Sequence, residues 1–145
     1  MSKSAILPVA MVLFWAGFVC SISFMEAWLK FRAQGVTLPI GLSIGNKVFT
    51  AMNRTEWVFF ILFVTAAWRH FGLKPAGTLV LALLLLAVLL IQSFVLLPQL
   101  SERVFRIIDG ETVEKSTLHL QYVMAEVVKV GTLIYTGFHL AAKGG

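Results

Sequence analysis

From Leu79 to Leu97 the chain carries no charged side chain, and Leu83 to Leu90 is almost purely aliphatic. A run of that kind has no water-facing side, because it lacks the amphipathic period that would create one. A helix needs roughly 20 mostly apolar residues to cross a bilayer, and this segment supplies them. Three further apolar segments accompany it. Of the 145 residues 59% are hydrophobic and 13% charged, whereas soluble domains carry about a quarter charged residues. Four such segments consume most of the chain and leave no room for a second, soluble domain. The chain therefore reads as one transmembrane domain over residues 1–145, all-α, with spans at about 6–29, 44–68, 76–97 and 117–142.

The boundaries come from polar interruptions. Lys30 to Pro39 reads as an interfacial turn, and the second span begins between Gly41 and Asn46. Arg69 to Pro75 forms the next turn, with Pro75 at a helix start. Pro98 and the charged stretch Glu102, Arg103, Arg106 and Asp109 close the third span, and Asp109-Gly110 is a turn signal. The fourth helix ends at Lys143-Gly144-Gly145. The first segment reads as a span rather than a signal peptide, since Trp15 and Glu26 lie inside it and no small-x-small cleavage site follows. Trp15, Trp28, Trp57 and Trp68 mostly fall near the expected interfaces, as an aromatic belt would. Cys20 is the single cysteine, so no disulfide forms within the chain.

Four antiparallel spans with short loops pack as an up-down-up-down bundle, an integral membrane four-helix bundle. Both chain ends and the Arg69–Lys74 turn then share one side, the terminal side. The other two connections share the loop side. Lys3, Arg69, Lys74 and Lys143 lie on the terminal side with no acid, while all seven acids lie in the loop-side half. Lys and Arg counts lean toward a cytoplasmic loop side. The net charge of +5 comes from residues flanking spans. No basic run of the length a nucleic-acid patch needs is present, so the expected partner is the lipid bilayer. Gly41-x-x-x-Gly45 permits close helix approach and, with it, a homo-oligomer.

Two helices repeat one polar pattern. Asn46, Phe49, Asn53 and Glu56 fall at the same offsets as His119, Tyr122, Glu126 and Lys129. Residues three and four apart share a helix face, so each helix presents one polar stripe. Ser23, Glu26 and Lys30 add a stripe on the first span, and Gln92, Gln99 and Arg103 one on the third. A charged side chain at mid-membrane costs about 2.5–3.5 kcal/mol on insertion scales. The stripes are therefore expected to face inward and build a polar pocket in the loop-side half. Its expected ligand-binding members are Glu26, Asn46, Asn53, Glu56, His119, Tyr122, Glu126 and Lys129. Structural ion pairing competes with this reading: Glu126 has Lys129 or Lys47 as candidate partners, and Glu56 has Arg54 or Lys30.

Through Phe24–Arg32, Ile44–Glu56 and His119–Lys129 the chain resembles small four-span bacterial membrane proteins of unassigned function. It also resembles a eukaryotic four-span family linked to cisplatin resistance. The resemblance implies topology and a multi-pass place in the bacterial inner membrane, and no activity. The membrane-associated eicosanoid and glutathione enzymes share only size and span count, since their arginine-rich pattern is absent.

Three functional expectations follow. In the first, the pocket binds or transports a cation, a proton or a small polar ligand. In the second, Glu26, Glu56, His119 and Glu126 hold a metal for an enzyme, although the Glu-x-x-His pair of di-metal carboxylate bundles is missing. In the third, the chain is an accessory subunit of a membrane complex. Cys-x-x-Cys, His-Glu-x-x-His, Gly-x-Ser-x-Gly and phosphate-binding glycine loops are all absent.

Overall fold

The computed structural model describes residues 6–71 and 76–143. Lys3, the Gly72–Pro75 turn and the Gly144-Gly145 stop lie outside the described residues. Those described form four long helices: α1 (Ile6–Arg32), α2 (Leu38–Phe71), α3 (residues 76–108) and α4 (Leu118–Lys143).

Side-chain pairs fix the topology. Lys30 lies beside Gly45 and Phe14 edges onto Phe59, so α1 and α2 run antiparallel. Ser101 bonds Asn46, and Ser93 bonds Asn53, so α2 and α3 do too. Gln92 meets Glu126 while His139 backs onto Gly77, which sets α3 against α4. Gly137 lets α4 close on α1, since a Cβ there would stand 3.0 Å from Leu13. The result is an up-down-up-down ring in which Ile6 and Lys143 share one end.

Three helix boundaries differ from the sequence expectation. The second helix starts at Leu38 rather than near residue 44, because Pro39 sits in its first turn, where a missing N–H costs nothing. The first helix runs on to Arg32 through a tight 3₁₀ turn. The third does not stop at Pro98. A proline inside a helix loses one hydrogen bond and crowds the preceding turn. Here the π turn Gln92–Leu96 lies immediately before it, with the Leu97 N–H donating to the Gln92 carbonyl, and the helix continues to Ile108. There the expected Asp109-Gly110 turn closes it. Gly110, at φ 84°, lets the Glu111 N–H reach the Arg106 carbonyl and the Gly110 N–H reach Ile107, a Schellman closure. Ser116 caps α4 by accepting from the Leu118 N–H.

The interior is layered. Val12, Val19, Phe63, Leu85, Leu133 and Leu140 pack toward the terminal end. Met52, Leu96 and Tyr122 pack toward the loop end. Between these layers lies a polar one. The outside is the reverse: Phe94 and Phe138 are each 72% exposed, Phe14 64% and Trp68 63%.

By length and composition two helices can cross a membrane, Ile6–Arg32 and Gly77–Ile108. In α2 and α4 the buried Glu56, Glu126 and Lys129 lower the average hydropathy, although the outward faces carry Val58, Ile61, Leu62, Val127, Val128 and Ile134.

Candidate functional site: a buried carboxylate–lysine–carboxylate centre

The repeated offsets on α2 and α4 place equivalent residues together. Phe49 meets Tyr122 edge-on at 5.4 Å between ring centres, and Glu56 meets Lys129. These two helices are diagonal partners running in the same direction, so one register brings both pairs into contact.

Lys129 is the hub. Its ammonium lies 2.6 Å from Glu56 Oε1 and 3.2 Å from Glu126 Oε1, and all three residues are 0% exposed. Donors surround the carboxylates: the Trp15 indole N–H reaches Glu56 Oε1 at 3.0 Å, and Gln92 Nε2 reaches Glu126 Oε1 at 2.7 Å. Each carboxylate therefore gathers its partners on Oε1. The other oxygens, Glu56 Oε2 and Glu126 Oε2, are enclosed with no hydrogen-bond partner among the described residues, as are Gln92 Oε1, Asn53 Nδ2 and the Tyr122 hydroxyl. Buried polar atoms are normally satisfied, so this cluster is exceptional for a core.

Depth follows from helix rise. Lys30 stands level with Gly45, and Glu56 lies about 16 Å further along α2 at ~1.5 Å per residue.

The remaining expected residues spread over two other places. Asn53 accepts from Ser93, which in turn accepts from the Trp57 indole, so Asn53 belongs to an α2–α3 bridge beside the centre. Asn46 accepts from Ser101 at 2.6 Å, one step nearer the loops. Glu26 is half-buried and paired with Lys30 at 3.2 Å, away from the centre. His119 is exposed at the rim of a cavity of about 250 Å³ at the loop end. Of the expected ion-pair partners, Lys129 holds Glu126, whereas Lys47 and Arg54 are exposed on the outer face of α2 and Lys30 pairs with Glu26; Gln99, expected on an inward stripe, is exposed on α3.

The metal candidates are not brought together. Among the described residues no group of three His, Cys, Asp or Glu is gathered as a metal ion requires, and Lys129 occupies the position between the two central carboxylates.

Two contributions escaped the sequence reading. Trp15 belongs to the centre, not to an interfacial belt; its place mid-way along the first apolar run was the available signal. Trp57 is likewise tied inward, whereas Trp28 and Trp68 are exposed as a belt requires, with the Arg32 guanidinium 4.5 Å from the Trp28 ring. The glycine motif faces the end of α1. A Cβ at Gly41 would fall 2.1 Å from the Phe31 ring and one at Gly45 2.9 Å from Lys30 Nζ. Both glycines make room for the end of α1 in the same chain.

No protein-family model, curated protein or solved structure matches this chain.

Proposed function

We propose that this protein is a four-span integral membrane protein whose Glu56–Lys129–Glu126 centre takes up and releases a proton, as the working part of a proton-linked carrier. The observation that carries the reading is one buried ammonium shared by two buried carboxylates whose second oxygens have no partner. With both carboxylates ionised the centre holds one negative charge too many. In a low-dielectric interior an uncompensated charge is expensive, and it is relieved by binding something positive. The cation's place between the carboxylates belongs to Lys129, which leaves a proton on an unpartnered oxygen as the simplest neutralising partner.

The inverted surface supports the membrane placement. A water-facing surface rarely exposes so many large apolar side chains, and a buried charged layer under a largely apolar exterior suits lipid, with Lys47 and Arg54 as exposed charges on α2. All four helices exceed the length of about 20 residues a span requires. The bacterial inner membrane as the location rests on the resemblance to four-span bacterial proteins.

Infrared titration of the protein in lipid tests the proposal. A carboxylic-acid carbonyl band that appears as pH falls, and disappears in Glu126→Gln or Glu56→Gln, is the expected result. Proteoliposomes should take up protons with the wild type and fail to do so with the same variants. A centre with no titrating carboxyl band would refute the reading, and Na⁺ uptake without proton uptake would replace the proton by a metal cation.

A further inference from the structure

The cavity at the loop end is made from the ends of all four helices, and its chemistry differs from that of the centre below it. Its charged and titratable members are Lys30, Arg103 and His119, and no carboxylate lines it. Lys30 spends one N–H on Glu26, and its ammonium lies 5.4 Å and 5.5 Å from the centres of the Phe31 and Phe49 rings. An ammonium has three donors, so two remain. Arg103 gives a donor to the Glu114 carbonyl and has four more. The side of the cavity toward the centre is closed by Tyr122, 2% exposed, whose hydroxyl is enclosed beside Glu126 and not open to the cavity. The remaining wall is mostly apolar, with Phe31, Phe49, Leu97 and Leu100, and includes the polar Asn46 and Ser116.

Cationic donors at the rim above aromatic and aliphatic walls define the ligand. We propose that this cavity binds a small organic anion with a compact apolar body, an aromatic monocarboxylate of the benzoate class. Size agrees: a cavity of about 150 Å³ accepts benzene, and this one, at about 250 Å³, adds room for a carboxylate. A two-chain phospholipid is too large for the space, and inorganic phosphate would leave the apolar wall unused. Buried in a partly apolar site, a carboxylate needs charge-assisted partners, which Arg103 and Lys30 provide. The inference is independent of proton binding, because it rests on the cavity residues alone.

Equilibrium dialysis of radiolabelled benzoate tests it, using the full chain in nanodiscs of zwitterionic lipid, with protein-free nanodiscs as the blank. Saturable binding of one benzoate per chain is expected. Arg103→Gln should weaken it by about tenfold, and benzyl alcohol, the neutral analogue, should compete about tenfold less well. Glu126→Gln should bind benzoate as the wild type does even where it abolishes proton uptake. No binding above the blank would overturn the proposal. So would equal competition by benzyl alcohol, or undiminished binding by Arg103→Gln.

Discussion

Lys129 and the two glutamates around it are not equivalent to mutation. Replacing Lys129 by Met leaves Glu56 and Glu126 facing each other without a cation, and breaking a buried pair in this way costs about 3–5 kcal/mol. Glu126→Gln is different, because Glu56 keeps the shorter contact to Lys129 at 2.6 Å. The pair is then charge-balanced, and stability should stay within ~1 kcal/mol of the wild type. Thermal unfolding in detergent should therefore rank wild type and Glu126→Gln together and Lys129→Met far below. The double change Glu126→Gln with Lys129→Met should not recover stability, since it strands Glu56. Recovery by the double change would mean that Glu126, rather than Glu56, is the principal partner. The sequence showed that these residues share a face, because spacing alone decides that. It did not show which acid holds the lysine, because that depends on the rotation of α2 against α4, and several basic residues had compatible spacing. Lys47 and Arg54 lie about 180° and 200° around α2 from Glu56, at ~100° per residue, so with Glu56 buried both are exposed on the far side.

At the scale of the helix, the two π turns carry the local adjustments that hydrophobic periodicity does not foresee. Ser21–Glu26 in α1 and Gln92–Leu96 in α3 each include an inward polar residue, Ser23 and Gln92. Each inserts an extra residue into a turn, which re-aims the side chains on one side without breaking the helix. In α3 this keeps Gln92 on Glu126 while the continuation beyond Pro98 still presents Leu100 and Ser101 to the bundle. Removing Phe94, which is 72% exposed, should convert the π turn into an ordinary α turn and leave both flanks in register. Removing Leu86 instead should rotate the rest of the helix by about 100° and carry Gln92 away from Glu126. The Phe94 deletion is expected to yield folded protein by size-exclusion chromatography and the Leu86 deletion aggregated protein. Equal loss of folded protein in both would show that the π turn has no such slack. The sequence marked Pro98 as a stop because a proline normally ends a helix; the compensating turn has no signature in composition.

For the whole molecule, the question is whether all four helices cross the membrane or only the two whose composition qualifies, α1 and α3. The sequence reading of four spans came from run lengths, and the four-helix ring agrees with it in helix number and in antiparallel order. Hydropathy averaging sets α2 and α4 apart through charged residues of two kinds: Glu56, Glu126 and Lys129 are buried against partners, whereas Arg54 on α2 is exposed. The two topologies differ in where the loops lie. With four spans, the turn at Thr37 and the turn at Thr112 share one compartment, opposite the end of α4. With α1 and α3 alone crossing, α2 stays in the compartment reached by α1, and α3 returns the chain, so the two turns lie in opposite compartments. Both positions are exposed, and a Cys20→Ser background removes the single native thiol. Thr37→Cys and Thr112→Cys should then react alike with a membrane-impermeant thiol reagent in intact cells, both labelled or both protected. A cysteine placed next to Lys143 should give the opposite result, because α4 ends at the far end of the ring. Unlike behaviour at Thr37 and Thr112 would refute four spans and with them the mid-membrane position of the Glu56–Lys129–Glu126 centre, since a centre between two peripheral helices would have water within reach and no reason to keep its charge imbalance.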